Sequence, residues 1–262
     1  MSENLLSRIR AEAPLIHNIT NYVVMNTTAN ALLALGASPV MAHAVEEVEA
    51  MAGLASALVI NIGTLSPPWV EAMHRAAKLA ASRGIPIVLD PVGCGATPYR
   101  TATAQALIRS APPTLIRGNA SEIRALLHAD SPTKGVDSVH TPEQAAADAQ
   151  TLSHSLGCVV TVSGAVDLIV ADQRVARVAN GHPLMASVTG MGCTASALSG
   201  ACLAVADSPF AAATAAMAIT GIAGEMAAAE ARGPGSFQMH FLDALYRLDD
   251  AEVARRQKIS LA

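Results

Sequence analysis

The residues best equipped for chemistry in this sequence stand just behind short apolar runs. Asp90 opens Asp90-Pro-Val-Gly-Cys-Gly95 after the run Ile85–Leu89. Arg117 opens Arg117-Gly-Asn-Ala-Ser-Glu122 after Thr114–Ile116, and Ser163-Gly164 follows Cys158–Val162. Thr189-Gly-Met-Gly-Cys193 precedes a long uncharged stretch rich in alanine. Two carboxylates, a guanidinium, a hydroxyl and a glycine turn are the parts of a phosphate and metal site. Gly190 and Gly192 let the backbone bend until the amides of Gly190, Met191, Gly192 and Cys193 face one point, and a following helix adds its positive end. Asp90 and Glu122 offer hard oxygens for Mg2+, held through waters. Arg117 offers a two-pronged fork for phosphate, and Ser163 a hydroxyl. Each has a plainer role as well: a tight loop under a sheet, a capping pair in Asn119 and Glu122, a surface ion pair, a turn hydroxyl. No GxxxxGK[ST] occurs anywhere, which excludes a P-loop, and the lack of GxGxxG weakens a dinucleotide reading.

Such residues need a frame. Ala57–Ile62, Ile85–Leu89, Thr114–Ile116 and Cys158–Val162 are continuously apolar, as strands covered on both faces of a parallel sheet must be. Pro67–Arg83, Thr97–Ser110, Ser121–His128 and Pro142–Leu156 carry helical patterns between them. Asp172-Gln173 splits Asp167–Ala171 from Arg174–Ala179 and predicts one antiparallel hairpin. From Gly192 to Asp243 the pattern is almost wholly helical. The expectation is an α/β layered fold with a mostly parallel central sheet, helices on both faces, and a single domain over residues 1–262. Ligands of such sheets sit beyond the carboxyl ends of the strands, where the four polar clusters fall. The segment His17–Asn30 is uncharged yet holds four asparagines and three threonines, which predicts a helix lining a polar pocket or a subunit contact. His43, Glu46 and Glu47 fit a solvated helix start better than a metal site.

Composition narrows the function classes. The chain has 262 residues, 52% hydrophobic and 15% charged, with a formal net charge of -4. There is no Lys/Arg cluster to displace counterions, so no nucleic-acid partner is expected. Val188–Ala206 and Ser208–Gly224 carry no charge, but their Ala, Gly, Ser and Thr content makes them buried helices rather than membrane spans. The N-terminus lacks a signal-peptide core, and the four cysteines show no CxxC spacing. A cytoplasmic protein with reduced, mostly buried thiols is expected, its partner a small molecule.

Six blocks, His17–Glu47, Asp90–Arg100, Ile116–Ile123, Lys134–Ser138, Asn180–Met185 and Val188–Cys193, occur in an order that closely resembles the hydroxyethylthiazole kinase family of the ribokinase-like superfamily. The resemblance runs over roughly residues 14 to 245. It implies a ribokinase-like fold and ATP-dependent, Mg2+-assisted phosphorylation of the primary hydroxyl of 4-methyl-5-(2-hydroxyethyl)thiazole in thiamine salvage. It also implies a homotrimer with substrate sites between subunits. By motif, Arg117 and Ser163 contact ATP, Met41 and Gly190 contact the thiazole, and Asp90 and Glu122 organise Mg2+. Cys193 stands where sugar-kinase relatives carry the aspartate that deprotonates the acceptor. A cysteine at a helix N-terminus is expected to have a lowered pKa, favouring thiolate. Met191 and Ser163 depart from the threonines more usual at their positions. The first departure loses a hydroxyl; the second keeps one. The alternatives are a related hydroxymethylpyrimidine or pyridoxal kinase, and a non-catalytic thiazole-binding protein.

Overall fold

The computed structural model describes residues 4–128 and 142–261. The Lys134–Ser138 block lies outside the described residues. In chain order the elements are α1 (Leu5–Glu12), β1 (Leu15–Ile19), α2 (Met25–Leu35), β2 (Ser38–Val40), α3 (Val48–Leu54), β3 (Ala57–Asn61), α4 (Pro67–Ser82) and β4 (Ile87–Asp90). There follow α5 (Pro98–Ser110), β5 (Leu115–Asn119), α6 (Ala120–Leu127), α7 (Pro142–Leu156), β6 (Val159–Ser163), β7 (Asp167–Ala171) and β8 (Arg174–Val178). A short 3-10 turn (Pro183–Ser187) leads to α8 (Met191–Val205), α9 (Pro209–Glu230), α10 (Pro234–Arg247), α11 (Asp250–Arg256) and β9 (Ile259–Leu261).

The nine strands among the described residues form one sheet in the order β2-β1-β3-β4-β5-β6-β7-β8-β9. The first six are parallel and the last three antiparallel. The expected hairpin is present, with Asp172 in the left-handed region at its turn (φ 52°). Residues 57–61 of β3 are all buried, which explains why that strand shows no polar alternation. One face of the sheet carries a core with α1, α2, α8, α9 and α10; the other packs α3 to α7. α9 is long and apolar enough to cross a membrane, but 83% of its most apolar window is buried in the protein.

The order reverses beside β1: the chain steps outward to β2, then returns across β1 to β3. That switch point is where open α/β sheets leave a crevice beyond the strand ends. The N-terminal segment differs from its expected form. His17-Asn18-Ile19 belongs to β1, and the helix begins only at Met25. Of the buried polar atoms of β1, His17 Nε2 lies 2.7 Å from the Ala42 carbonyl and Asn18 Nδ2 donates to the Ile16 carbonyl at 2.9 Å, while His17 Nδ1 and Asn18 Oδ1 have no partner. Asn26 and Asn30 bond each other on the exposed side of α2 at 3.0 Å.

Candidate active site

The carboxyl ends of β1, β3, β4, β5 and β6 share a rim with the N-terminus of α8, which packs over β1, β3 and β4. Gly190 is the N-cap of α8, at φ 82°. A Cβ there would stand 2.5 Å from Val24 Cγ1, so both the left-handed backbone and the close approach of α2's N-cap require glycine. A Cβ on Gly192 would stand 2.5 Å from Arg117 Nη1. The second glycine is what lets the guanidinium lie against the helix start. No side chain caps α8, so the N–H groups of Met191, Gly192 and Cys193 have no intrahelical partner and no cap. Unpaired amides at a helix start are an arrangement that can receive an anion.

Behind it runs a buried polar chain. Asp90, 0% exposed at the end of β4, accepts on Oδ2 from Asn61 Nδ2 (2.8 Å) and Ser196 Oγ (2.7 Å). Asn61 Oδ1 accepts from Asn21 Nδ2 (2.8 Å), and Asn21 Nδ2 also lies 3.5 Å from Cys193 Sγ. Asp90 Oδ1 is buried without a partner. Burial raises the Asp90 pKa to about 6, opposed by the positive charge of Arg117. Cys193 does not fit the expected thiolate. Burial, then the negative charge of Asp90, push its pKa up to about 11, although the Asn61 and Asn21 amides and Arg117 pull the other way. The helix end was visible in the sequence; the burial and the carboxylate behind it were not. At neutral pH Cys193 is a protonated thiol, half-buried, while Cys94, Cys158 and Cys202 are buried. All four are free.

Arg117 Nη2 donates to Ser163 Oγ at 2.7 Å, which brings together the two residues assigned to the nucleotide. Arg117 Nε is buried without a partner. Both residues line a cavity of about 470 Å³ that also reaches Met191 and Gly192 and extends to Asn180 and Met217. Asp167, 7% exposed at the start of β7, lines the same cavity. It accepts the Gly164 N–H at 3.0 Å, and burial raises its pKa to about 6. Asp167, Asn61 and Ser196 were not singled out from sequence; Asp167 lay inside a hairpin pattern and Asn61 at the end of an apolar run.

Glu122 stands on the same rim in a different role. Its Oε2 accepts from Asn119 N at 2.8 Å while Asn119 Oδ1 accepts from Glu122 N at 2.9 Å, a complete capping box for α6. Its Oε1 accepts from Gly93 N at 2.8 Å and ties the β4–α5 loop to α6. Met41 lies past the edge strand β2, and its carbonyl pairs with His43 Nδ1 at 3.1 Å. The His43 and Tyr22 rings flank Trp69, with centroids 4.5 and 4.6 Å away. Glu46 and Glu47 are exposed, and no cluster of three or more His, Cys, Asp or Glu able to hold a metal occurs among the described residues.

The model of the hydroxyethylthiazole kinase family matches residues 6–251. The chain belongs to that family. It is 61% identical over 252 residues to a hydroxyethylthiazole kinase of Syntrophus aciditrophicus, covering 96% of this chain and 93% of the relative. A second, from Oleidesulfovibrio alaskensis, is 58% identical and covers 95% of this chain and 93% of its own length. Among solved structures, the hydroxyethylthiazole kinase protein of Pyrococcus horikoshii superposes with a TM-score of 0.92 at 45% identity, covering 98% and 97% of the two chains. The pyridoxal kinase of Staphylococcus aureus in complex with ADP superposes with a TM-score of 0.66 at 15% identity, over 95% and 97%, a likeness of fold alone. The fold is ribokinase-like.

Proposed function

We propose that this chain transfers the terminal phosphoryl group of ATP to the primary hydroxyl of 4-methyl-5-(2-hydroxyethyl)thiazole, giving the thiazole phosphate and ADP in thiamine salvage. The observation that carries the reading is an uncapped helix N-terminus, opening on a 470 Å³ cavity lined by Arg117 and Ser163, in a chain of this family. Arg117 and Ser163 hold the nucleotide phosphates, and the amides of Met191, Gly192 and Cys193 take up charge on the transferring group. Gly190 and Met41 border the thiazole.

In the transfer, the substrate oxygen bonds to the γ-phosphorus, the bond to the bridging oxygen of ADP breaks, and the alcohol proton passes to an oxygen of the transferred phosphoryl group and on to solvent. A loose transition state asks for positioning and charge stabilisation more than for a base. Cys193 therefore serves as a neutral thiol against the reacting hydroxyl. Mg2+ fits these residues as an ion held by few protein oxygens together with phosphate and water. Asp90 Oδ1 is the free buried oxygen for it. Glu122, whose oxygens already accept two backbone N–H groups, would reach it through water. When bound, the ion would neutralise charge between the β- and γ-phosphates.

The reading extends to a single kinase domain, a cytoplasmic location and a homotrimer. Met41 beyond the edge strand and Gly190 against Val24 at the start of α2 suit an acceptor pocket completed by a neighbouring copy. Sedimentation giving a mass of three chains supports this; a monomer would oppose it. The activity is tested by ADP release with ATP, Mg2+ and hydroxyethylthiazole, with hydroxymethylpyrimidine and pyridoxal in parallel. Turnover that depends on the thiazole and on Mg2+ is expected. Turnover on another alcohol alone reassigns the acceptor, and none on any points to a binding protein.

A further inference from the structure

We propose that Asn21 and Asn61 are positioning residues, forming a one-way amide relay that aims the Cys193 thiol proton and the free oxygen of Asp90 at the reacting groups. This rests on the phosphoryl-transfer reading for its consequence but not for its geometry.

The direction of each amide is set by the backbone. Asn21 Oδ1 accepts the Val23 N–H at 3.1 Å, so its NH2 must face Asn61 and Cys193. Asn61 Oδ1 accepts the Gly63 N–H at 2.9 Å as well as the Asn21 amide, so its own NH2 must face Asp90. Flipping either amide would set N–H against N–H and leave buried groups unpaired; Asn21 is 4% exposed and Asn61 1%. Two consequences follow at the two ends of the relay. Sulfur receives a donor from Asn21 and finds no acceptor there, so the S–H of Cys193 is left to point at a substrate oxygen. At the other end Asn61 and Ser196 both donate to Asp90 Oδ2, which leaves Oδ1 as the oxygen with free lone pairs. The relay bridges the ends of β1 and β3, across the point where the strand order reverses. It thus joins the acceptor side and the phosphate side of the site in one hydrogen-bonded unit.

Isosteric Asn→Asp changes test the direction without opening space. In Asn61→Asp the new carboxyl and Asp90 share one proton, so the donor no longer has a direction fixed by the backbone. The relay predicts a kcat lower by about 100-fold, with the KM for ATP within about twofold, the loss typical of a displaced catalytic geometry. Asn21→Asp is expected to lower kcat about tenfold, and the double variant to fall no further than Asn61→Asp, because residues acting as a unit are not additive. Full kcat in Asn61→Asp, or losses that multiply in the double variant, would overturn the proposal. A second readout needs no turnover: alkylation of Cys193 by N-ethylmaleimide in the unliganded chain. Asn21→Asp sets an acceptor against the sulfur, and alkylation should slow about tenfold; an unchanged rate overturns the relay. If wild-type protein shows no thiazole turnover, the functional reading fails while the alkylation result still decides the relay.

Discussion

Two helices begin on the same rim of the sheet, and their N-termini are finished in opposite ways. α6 starts with a full capping box, Asn119 and Glu122 each bonding the other's backbone N–H. α8 starts on a glycine with no side-chain cap, its first amides facing a cavity beside Arg117. The same physics, four orphan N–H groups and a positive helix end, is quenched by the protein in one place and left for a ligand in the other. A helix N-terminus is ordinary; this one is left uncapped, on a rim with buried unpaired atoms of both signs. Asp90 Oδ1 and Arg117 Nε are those atoms.

The largest break in this comparison is Gly190→Ala. It forces an L-residue into φ 82° and a methyl against Val24, so turnover should drop by about 100-fold or more as the amides move. Retained turnover would mean the α8 start is not the phosphoryl site. Gly192→Ala comes next. Its methyl displaces the Arg117 guanidinium, and the KM for ATP should rise about tenfold in steady-state kinetics, with a smaller effect on the thiazole KM. A smaller effect is expected for Cys193→Ser: a hydroxyl is as neutral a donor as the protonated thiol, so kcat should stay within about tenfold. A loss of about a thousandfold would restore the thiolate base.

Asp167 gives a pH test of the cavity beside α8. Its folded pKa of about 6 lies above the usual carboxylate value of 3.8. Its contribution to stability is therefore fully present below pH 4 and lost as pH rises through 6. Asp167→Asn, which still accepts the Gly164 N–H, should gain up to about 3 kcal/mol on wild type between pH 4 and pH 7.5 in urea melts. A pH-independent difference would show that Asp167 is not held in a desolvated place. The smallest effect sharpens the α6 side: Asn119→Ala should cost about 1 kcal/mol of stability by thermal melting, the usual worth of a cap.

Much of this was legible in the chain. The buried strands β3, β4 and β6 announced themselves as unbroken apolar runs, and helices α4, α5, α6 and α7 by the helical patterns between them. The structure places Asp90, Arg117, Ser163 and Gly190–Cys193 at strand ends and the α8 start along one rim, where the rim rule had gathered them. β1 was illegible because His17 and Asn18 interrupt its apolar run, and the carbonyl that meets His17 comes from Ala42, 25 residues away. β2 and β9, three residues each, are too short to carry a period. Asn61 was hidden in an apolar strand; its partners come from 40 and 29 residues away. The thiol of Cys193 went astray for the same reason. A helix end is local in sequence, and the desolvation that outweighs it is not.

Whether α8 rather than α6 receives the transferring phosphoryl group can be read amide by amide. Proton–nitrogen NMR spectra would be recorded with Mg2+, ADP, aluminium fluoride and the thiazole, a mimic of the planar phosphoryl group in flight. Large shifts are expected at the amides of Met191, Gly192 and Cys193, with those of Ser121 and Glu122 nearly still. Shifts centred on the α6 amides, with α8 unmoved, would contradict a phosphoryl site at α8.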